Sequence, residues 1–341
     1  MSLIKPFALA VAGVSLALST ASAVSAHAAD LPGKGITAIP VVSSVAEEQF
    51  QTRIVAEGLR RLGYDVPEAM EVEYAAGHLA LANGDVQWTA VHWDPLHSAF
   101  YDKAGGDARM GKVGHLVLNS LQGYLIDKKT ADAHHITSVE QLKDPKIARL
   151  FDANGDGKAD LTGCNPGWGC EAVIEHQLKA YKLSDTVTHN QGSYFALMAD
   201  TIARHKKGEP ILYYTWTPLW VSGVLVPGKD VEWLTVPFTS LPDGRKDTNT
   251  SLPDGRNVGF AVNEQRIVAN KAWLDKNPAA KKFFELASID VNDISAENTL
   301  MHDGEKSSAD IDRHVAAWIK AHQAVFDGWL TEATKAAQSR K

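Results

Sequence analysis

Cysteine is nearly absent from this chain: two residues in 341, with no run of clustered Lys or Arg and a net charge of −7. Each scarcity closes off a class of function. Phosphate backbones are held by grouped basic side chains, so a chain with 41 acidic residues against 34 Lys and Arg is no nucleic-acid binder. Beyond the N-terminal segment, nothing approaches the ~18 uninterrupted apolar residues of a membrane-spanning helix. Catalytic signatures are missing too. There is no Gly-x-Ser-x-Gly, no His-Glu-x-x-His, no phosphate loop and no dinucleotide fingerprint. With 13 histidines some His–acid proximity is certain and carries no signal. The sequence makes no positive case for an enzyme.

What is present begins with an export signal. Lys5 precedes an apolar run from Phe7 to Leu18, and Ala26-His27-Ala28 fits a cleavage site, so residues 1–28 read as a secretory signal peptide. Without them one Lys is lost and no acid, leaving 33 basic against 41 acidic residues and a charge of about −8, which favours solubility. The ~313 residues that remain exceed the usual size of one core, so two domains are expected. Export also decides between readings of Cys164 and Cys170. A zinc site needs four ligands at short spacings, and Cys-x5-Cys has no nearby partner; a redox Cys-x-x-Cys is absent. In an oxidising compartment two lone cysteines pair as a disulfide.

Hydrophobic patterning places the elements. "ITAIPVV" is a strand, Ser43 or Ser44 caps the following helix, and Gly63 ends it before a further strand. "VEYAAGHLALANGDVQWTAVHW" gives strand, helix ending at Asn83-Gly84, and strand. Such alternation implies an α/β fold with parallel strands, whose ligands sit beyond the strands' carboxyl ends, where Trp93 falls. A second block runs from the helix-rich "ITSVEQLKDPKIARLF" through two longer helices to the apolar strand "PILYYTW". Near the C-terminus, "AAWIKAHQAVFDGWLTEATKAAQ" reads as one long amphipathic helix, with Trp318, Ile319, Val325, Phe326, Trp329 and Leu330 available to pack. "SLPDGR" occurs twice, at 240–245 and 251–256, and reads as tandem surface turns.

Two constellations carry chemistry. In "FDANGDGKADL", Asp152, Asn154, Asp156 and Asp160 with Gly157 reproduce the first half of a calcium loop. Position twelve is Gly163 where a bidentate Glu belongs, so a structural calcium and a loop of Asx turns stand as equal readings. No cofactor is required. The aromatic set is the second: Trp93 with His97, Trp168 between the cysteines, and Trp216 and Trp220 in "YYTWTPLW". Several tryptophans at strand-to-loop junctions suit an aromatic cage. Indole faces attract cations by ~0.5–2 kcal/mol each, and quaternary ammonium, which carries no N–H, depends on this contact most.

"WDPLH", "GYLIDKKTAD", "QLKDPKIARLFDANGDGKADLTGCNPGWGCE", "VTHNQGSY", "YYTWTPLW" and "MHDGE" together resemble the periplasmic glycine betaine-binding proteins of ProU-type osmoprotectant ABC importers. The similarity runs through essentially the whole chain after the signal segment. It implies a two-lobed periplasmic binding protein of type II, each lobe a mixed sheet flanked by helices, with the ligand in the cleft. Lobe 1 would take 29–130 and 260–341, and lobe 2 would take 131–259. The resemblance puts Trp93, Trp168 and Trp216 around a trimethylammonium group, and His97 with the backbone N–H groups of Gly169 and Cys170 on the ligand's carboxylate. It implies glycine betaine or a close analogue such as proline betaine as ligand, a permease with its ATPase as partners, a periplasmic location and a monomer. The competing reading is a secreted, calcium-stabilised protein whose exposed tryptophans stack on sugar rings.

Overall fold

The computed structural model describes residues 31–245 and 248–339; residues 1–28, expected to be a signal peptide, lie outside them. The chain starts with β1 (Val41–Val42), α1 (Gln49–Arg61), β2 (Met70–Glu71), α2 (Tyr74–Asn83), β3 (Trp88–Asp94), α3 (Ser98–Lys103) and β4 (Met110–Ser120). Gly84 ends α2 at φ 85°, the left-handed conformation that glycine adopts without a Cβ penalty. β1 and β2 pair in parallel, and a bridge from Pro40 to Trp88 links them to β3.

The chain then leaves this sheet. β5 (Gln122–Asp127), α4 (Lys128–His134), α5 (Pro145–Ala148), β6 (Ala159–Thr162), α6 (Gly169–Ala180), β7 (Val187–Asn190), α7 (Tyr194–Lys206), β8 (Leu212–Trp216), α8 (Val221–Val224) and β9 (Val231–Trp233) follow. Their strands form one mixed sheet in the order β7-β6-β8-β5-β9, parallel around β6 and antiparallel around β5. β5 belongs to this second sheet, between β8 and β9.

β10 (Asn263–Asn270) returns to the first sheet and inserts between β3 and β4, antiparallel to both. The parallel first sheet expected from strand–helix alternation is therefore only partly realised, because a strand from 170 residues away fills its middle. α9 (Lys271–Lys276), α10 (Pro278–Leu286), α11 (Val291–His302), α12 (Ser308–Ala321) and α13 (Gln323–Gln338) complete this lobe. The C-terminal pattern thus makes two helices where one was expected. At His322 the backbone turns to φ −108°, ψ 21°, and the Trp318 carbonyl accepts both the His322 backbone N–H at 3.0 Å and its imidazole Nδ1–H at 2.9 Å. Phe326 and Trp329 are buried as expected, whereas Val325 faces solvent.

Each lobe has its own core. Ile54, Leu59, Trp88, Phe283, Phe284 and Phe326 anchor the first; Phe151, Ile174, Tyr194, Tyr213 and Tyr214 anchor the second. Trp93, carried by a strand of the first lobe, packs in the second lobe's cluster. No helix among the described residues is long and apolar enough to cross a membrane.

Candidate ligand-binding site

A small pocket lies where the two cores meet. Trp93, His97, Trp168, Gly169, Cys170 and Trp216 all line it. The tryptophans are 5, 6 and 8 % exposed, so none offers the open face on which a sugar ring stacks. Trp93 and Trp216 stand at the last turns of β3 and β8, and each is followed two residues later by a cis proline, Pro95 and Pro218. The Trp168 and Trp216 rings meet edge to face, 5.8 Å apart at 75°, and Tyr194 backs Trp216 at 4.7 Å. Trp168 is presented by a loop closed by the Cys164–Cys170 disulfide. Perpendicular indoles with buried edges leave π faces to a cation, in a site where low dielectric strengthens that attraction.

The other end of the pocket is polar. His97 caps the turn into α3, and its Nδ1 accepts the Trp93 backbone N–H at 3.3 Å. The ring proton of neutral His97 therefore sits on Nε2, a donor. Burial, reinforced by neighbouring His78, holds this imidazole well below its usual range. Gly169 and Cys170 open α6, whose first N–H groups have no intrahelical acceptor. Helix N-termini favour anions, so these groups and His97 together suit a carboxylate. Gly169 must be glycine here: a Cβ would come within 2.9 Å of Leu96 Cγ and 3.2 Å of the Leu96 carbonyl. The second lobe's helix thus approaches the first lobe's backbone directly.

Glu48, Tyr74, Leu96, Gln122 and Tyr214 also line the pocket; of these, Leu96 and Tyr214 fall in the motifs WDPLH and YYTWTPLW. Glu48 receives the Trp93 Nε1–H at 3.0 Å, and Tyr214 donates to Gln122 at 2.6 Å. No motif marks Glu48, Tyr74 or Gln122. The capping expectation at Ser43 also changes: α1 has no side-chain cap, and Ser43 instead donates to Glu48 at 2.7 Å. Trp220 stands apart from the pocket, donating to Glu47 at 3.1 Å. Arg245, in the first SLPDGR copy, donates to the Pro95 carbonyl at 2.6 Å and so ties that turn across the cleft.

The Asp-rich loop is held by hydrogen bonds of its own. Asp160 accepts from the backbone N–H groups of Ala153 and Asn154 and from the amides of Asn154 and Asn190. Asp152 accepts from Gly155 and Gly157, Asn154 from Asp156, and Asp156 from Lys158. These are Asx turns that satisfy the loop from within. Among the described residues, His78, His92 and His97 are the group whose ligand atoms converge, within 4.8 Å. His78 donates Nδ1–H to the Tyr74 carbonyl at 2.6 Å, and its Nε2 accepts from His92 Nδ1 at 2.8 Å, which leaves His92 Nε2 without a hydrogen-bond partner. The chain fixes tautomers behind His97.

The layout of sheets, helices and cleft is that of a type II periplasmic binding protein. A Borrelia burgdorferi glycine betaine, L-proline-binding protein (ProX) matches with TM-score 0.67 at 17 % identity, covering 88 % of this chain and 99 % of that one. Lactococcal OpuAC, closed and complexed with glycine betaine, matches with TM-score 0.65 at 20 % identity, over 86 % and 99 %. The sequence is more specific. Residues 39–321 match the family described as the substrate binding domain of ABC-type glycine betaine transport system, and the chain belongs to that family. It is 59 % identical to the glycine betaine-binding periplasmic protein OusX of Dickeya dadantii (strain 3937), across 95 % of this chain and 98 % of that protein. Identity is also 59 % to the glycine betaine/proline betaine-binding periplasmic protein of Escherichia coli (strain K12), across 94 % and 97 %.

Proposed function

We propose that this chain is a periplasmic substrate-binding protein that captures glycine betaine, and related betaines such as proline betaine, and delivers it to the permease and ATPase of an ABC importer. One observation carries the reading: three buried tryptophans and a carboxylate-binding end, drawn from both lobes, share one small pocket. Trp93, Trp168 and Trp216 surround the trimethylammonium group, while His97 Nε2–H and the Gly169 and Cys170 N–H groups hold the carboxylate. Choline lacks that carboxylate and leaves these donors unpaired, so it binds more weakly.

We place the lobes at 31–121 with 262–339, and at 122–261. Trp93 and His97 then belong to one lobe, and Trp168, Gly169, Cys170 and Trp216 to the other. Neither half surrounds the ligand alone, so binding favours the closed arrangement, and closure presents a combined surface to the permease. No bond of the ligand changes. The protein acts as a monomer after export and removal of residues 1–28.

The test is a tryptophan fluorescence titration of the exported chain. Glycine betaine shifts the emission and sugars do not. No response to betaine at millimolar concentration overturns the reading.

A further inference from the structure

Glu48 is a buried carboxyl to which the described residues give no cationic partner. Its side chain is 4 % exposed and forms part of the pocket wall. Oε1 accepts from Trp93 Nε1–H at 3.0 Å and from Tyr74 O–H at 2.9 Å; Oε2 accepts from Ser43 O–H at 2.7 Å. Three donors converging on one carboxyl suit its ionised form. Yet among the described residues no Lys, Arg or His forms an ion pair with it, and the charge felt nearest is the like-signed Glu47. Buried charges are ordinarily paired. The space beside this one is walled by tryptophan.

We propose that Glu48 is the pocket's counter-ion for the ligand's quaternary ammonium, a specificity-determining carboxylate that selects a cation over a neutral group of the same shape. This rests on the betaine reading above. The hydrogen bond to Nε1 fixes the plane of the Trp93 indole and draws charge toward its ring face, so one group both positions the wall and supplies field. A neutral tert-butyl group would make the same apolar contacts and gain neither the Coulombic nor the cation–π attraction.

A pH signature follows. Burial lifts Glu48 to about 7. Around it, burial also raises Glu47 beside Trp220 and Tyr74 on α2, while His78 on α2 and His97 before α3 are pushed down and stay neutral. A bound cation favours ionised Glu48. Below neutral pH, binding must therefore expel a proton, and affinity declines as pH falls from 8 to 6.

The experiment compares glycine betaine with 3,3-dimethylbutanoate, its carbon-for-nitrogen isostere, by calorimetry and competition on the full exported chain. In Glu48→Gln, the ratio of the two affinities at pH 8 falls at least about tenfold, and the pH dependence of betaine binding flattens. Equal loss for both ligands makes Glu48 a mere support for Trp93 and overturns the proposal. Should the variant not fold, the unsubstituted protein still decides. Betaine binding at pH 7, measured in two buffers of different ionisation enthalpy, releases a proton, and betaine is preferred over its isostere at least about tenfold. Absence of either overturns the proposal. Failure to bind betaine at all is a different result, and removes the parent reading.

Discussion

The indole of Trp220 lies flat on the imidazole of His302, ring centroids 3.9 Å apart and 13° from parallel. Trp220 packs in the second lobe's core, and His302 ends α11 of the first, so the stack spans the cleft outside the ligand pocket. Asn298, also on α11, donates to the Pro218 carbonyl at 3.3 Å. These contacts exist only while the lobes are together. Trp220→Ala should therefore lower betaine affinity by about tenfold without touching the cage, by shifting the hinge toward open. Small-angle scattering should show the variant more extended than the unsubstituted protein at equal, subsaturating betaine.

Trp168→Ala would remove one wall of the proposed cage. A lost cation–π contact of ~0.5–2 kcal/mol, together with lost apolar contact, predicts a fall in betaine affinity of about tenfold or more. Calorimetric titration measures it; an unchanged affinity takes Trp168 out of the site.

Gly169→Ala tests the close approach of the lobes. The added methyl would stand 2.9 Å from Leu96 Cγ, a contact made across the cleft. Betaine affinity should drop sharply, while the melting temperature without ligand changes little, because an open cleft relieves the clash.

Reducing Cys164–Cys170, or replacing both by Ser, should weaken betaine binding more than it weakens the fold. The bridge spans a sequence separation of 6, and closing so short a loop stabilises by only about 2 kcal/mol. The loop it shapes carries Trp168 and leads into Gly169. Binding measured with and without reductant, beside the melting temperature, separates the two effects.

Buried histidine ties stability to pH. Burial, with the neighbouring imidazoles of His78 and His97 next in effect, holds His92 well below its ordinary range. A histidine lowered in the folded state stabilises above its unfolded value of ~6.5 and loses that contribution as pH falls below it. His92→Asn should therefore close the gap in unfolding free energy to the parent protein between pH 7.5 and 5.5. The limiting slope is about 1.4 kcal/mol per pH unit. Parallel denaturation curves at the two pH values check it.

The sequence alone carried the α/β class, the helices α2, α6 and α7, and the Trp and His positions on the pocket, because periodicity and turn chemistry are local. Resemblance across CNPGWGC and WDPLH then assembled those positions into one list. Three things needed the tertiary structure. β10 is not marked as a central strand, since its partners β3 and β4 are distant in sequence and only folding brings them beside it. α12 and α13 share one apolar pattern, and the break between them is a backbone departure at His322, φ −108° and ψ 21°, that the pattern does not mark. Glu48 looks like any acid at the start of a helix. It becomes a buried, hydrogen-bonded carboxyl because Ser43, Tyr74 and Trp93, from three separate segments, converge on it. Local pattern fixes which surfaces are apolar. Which polar groups end up without water depends on the whole chain closing around them.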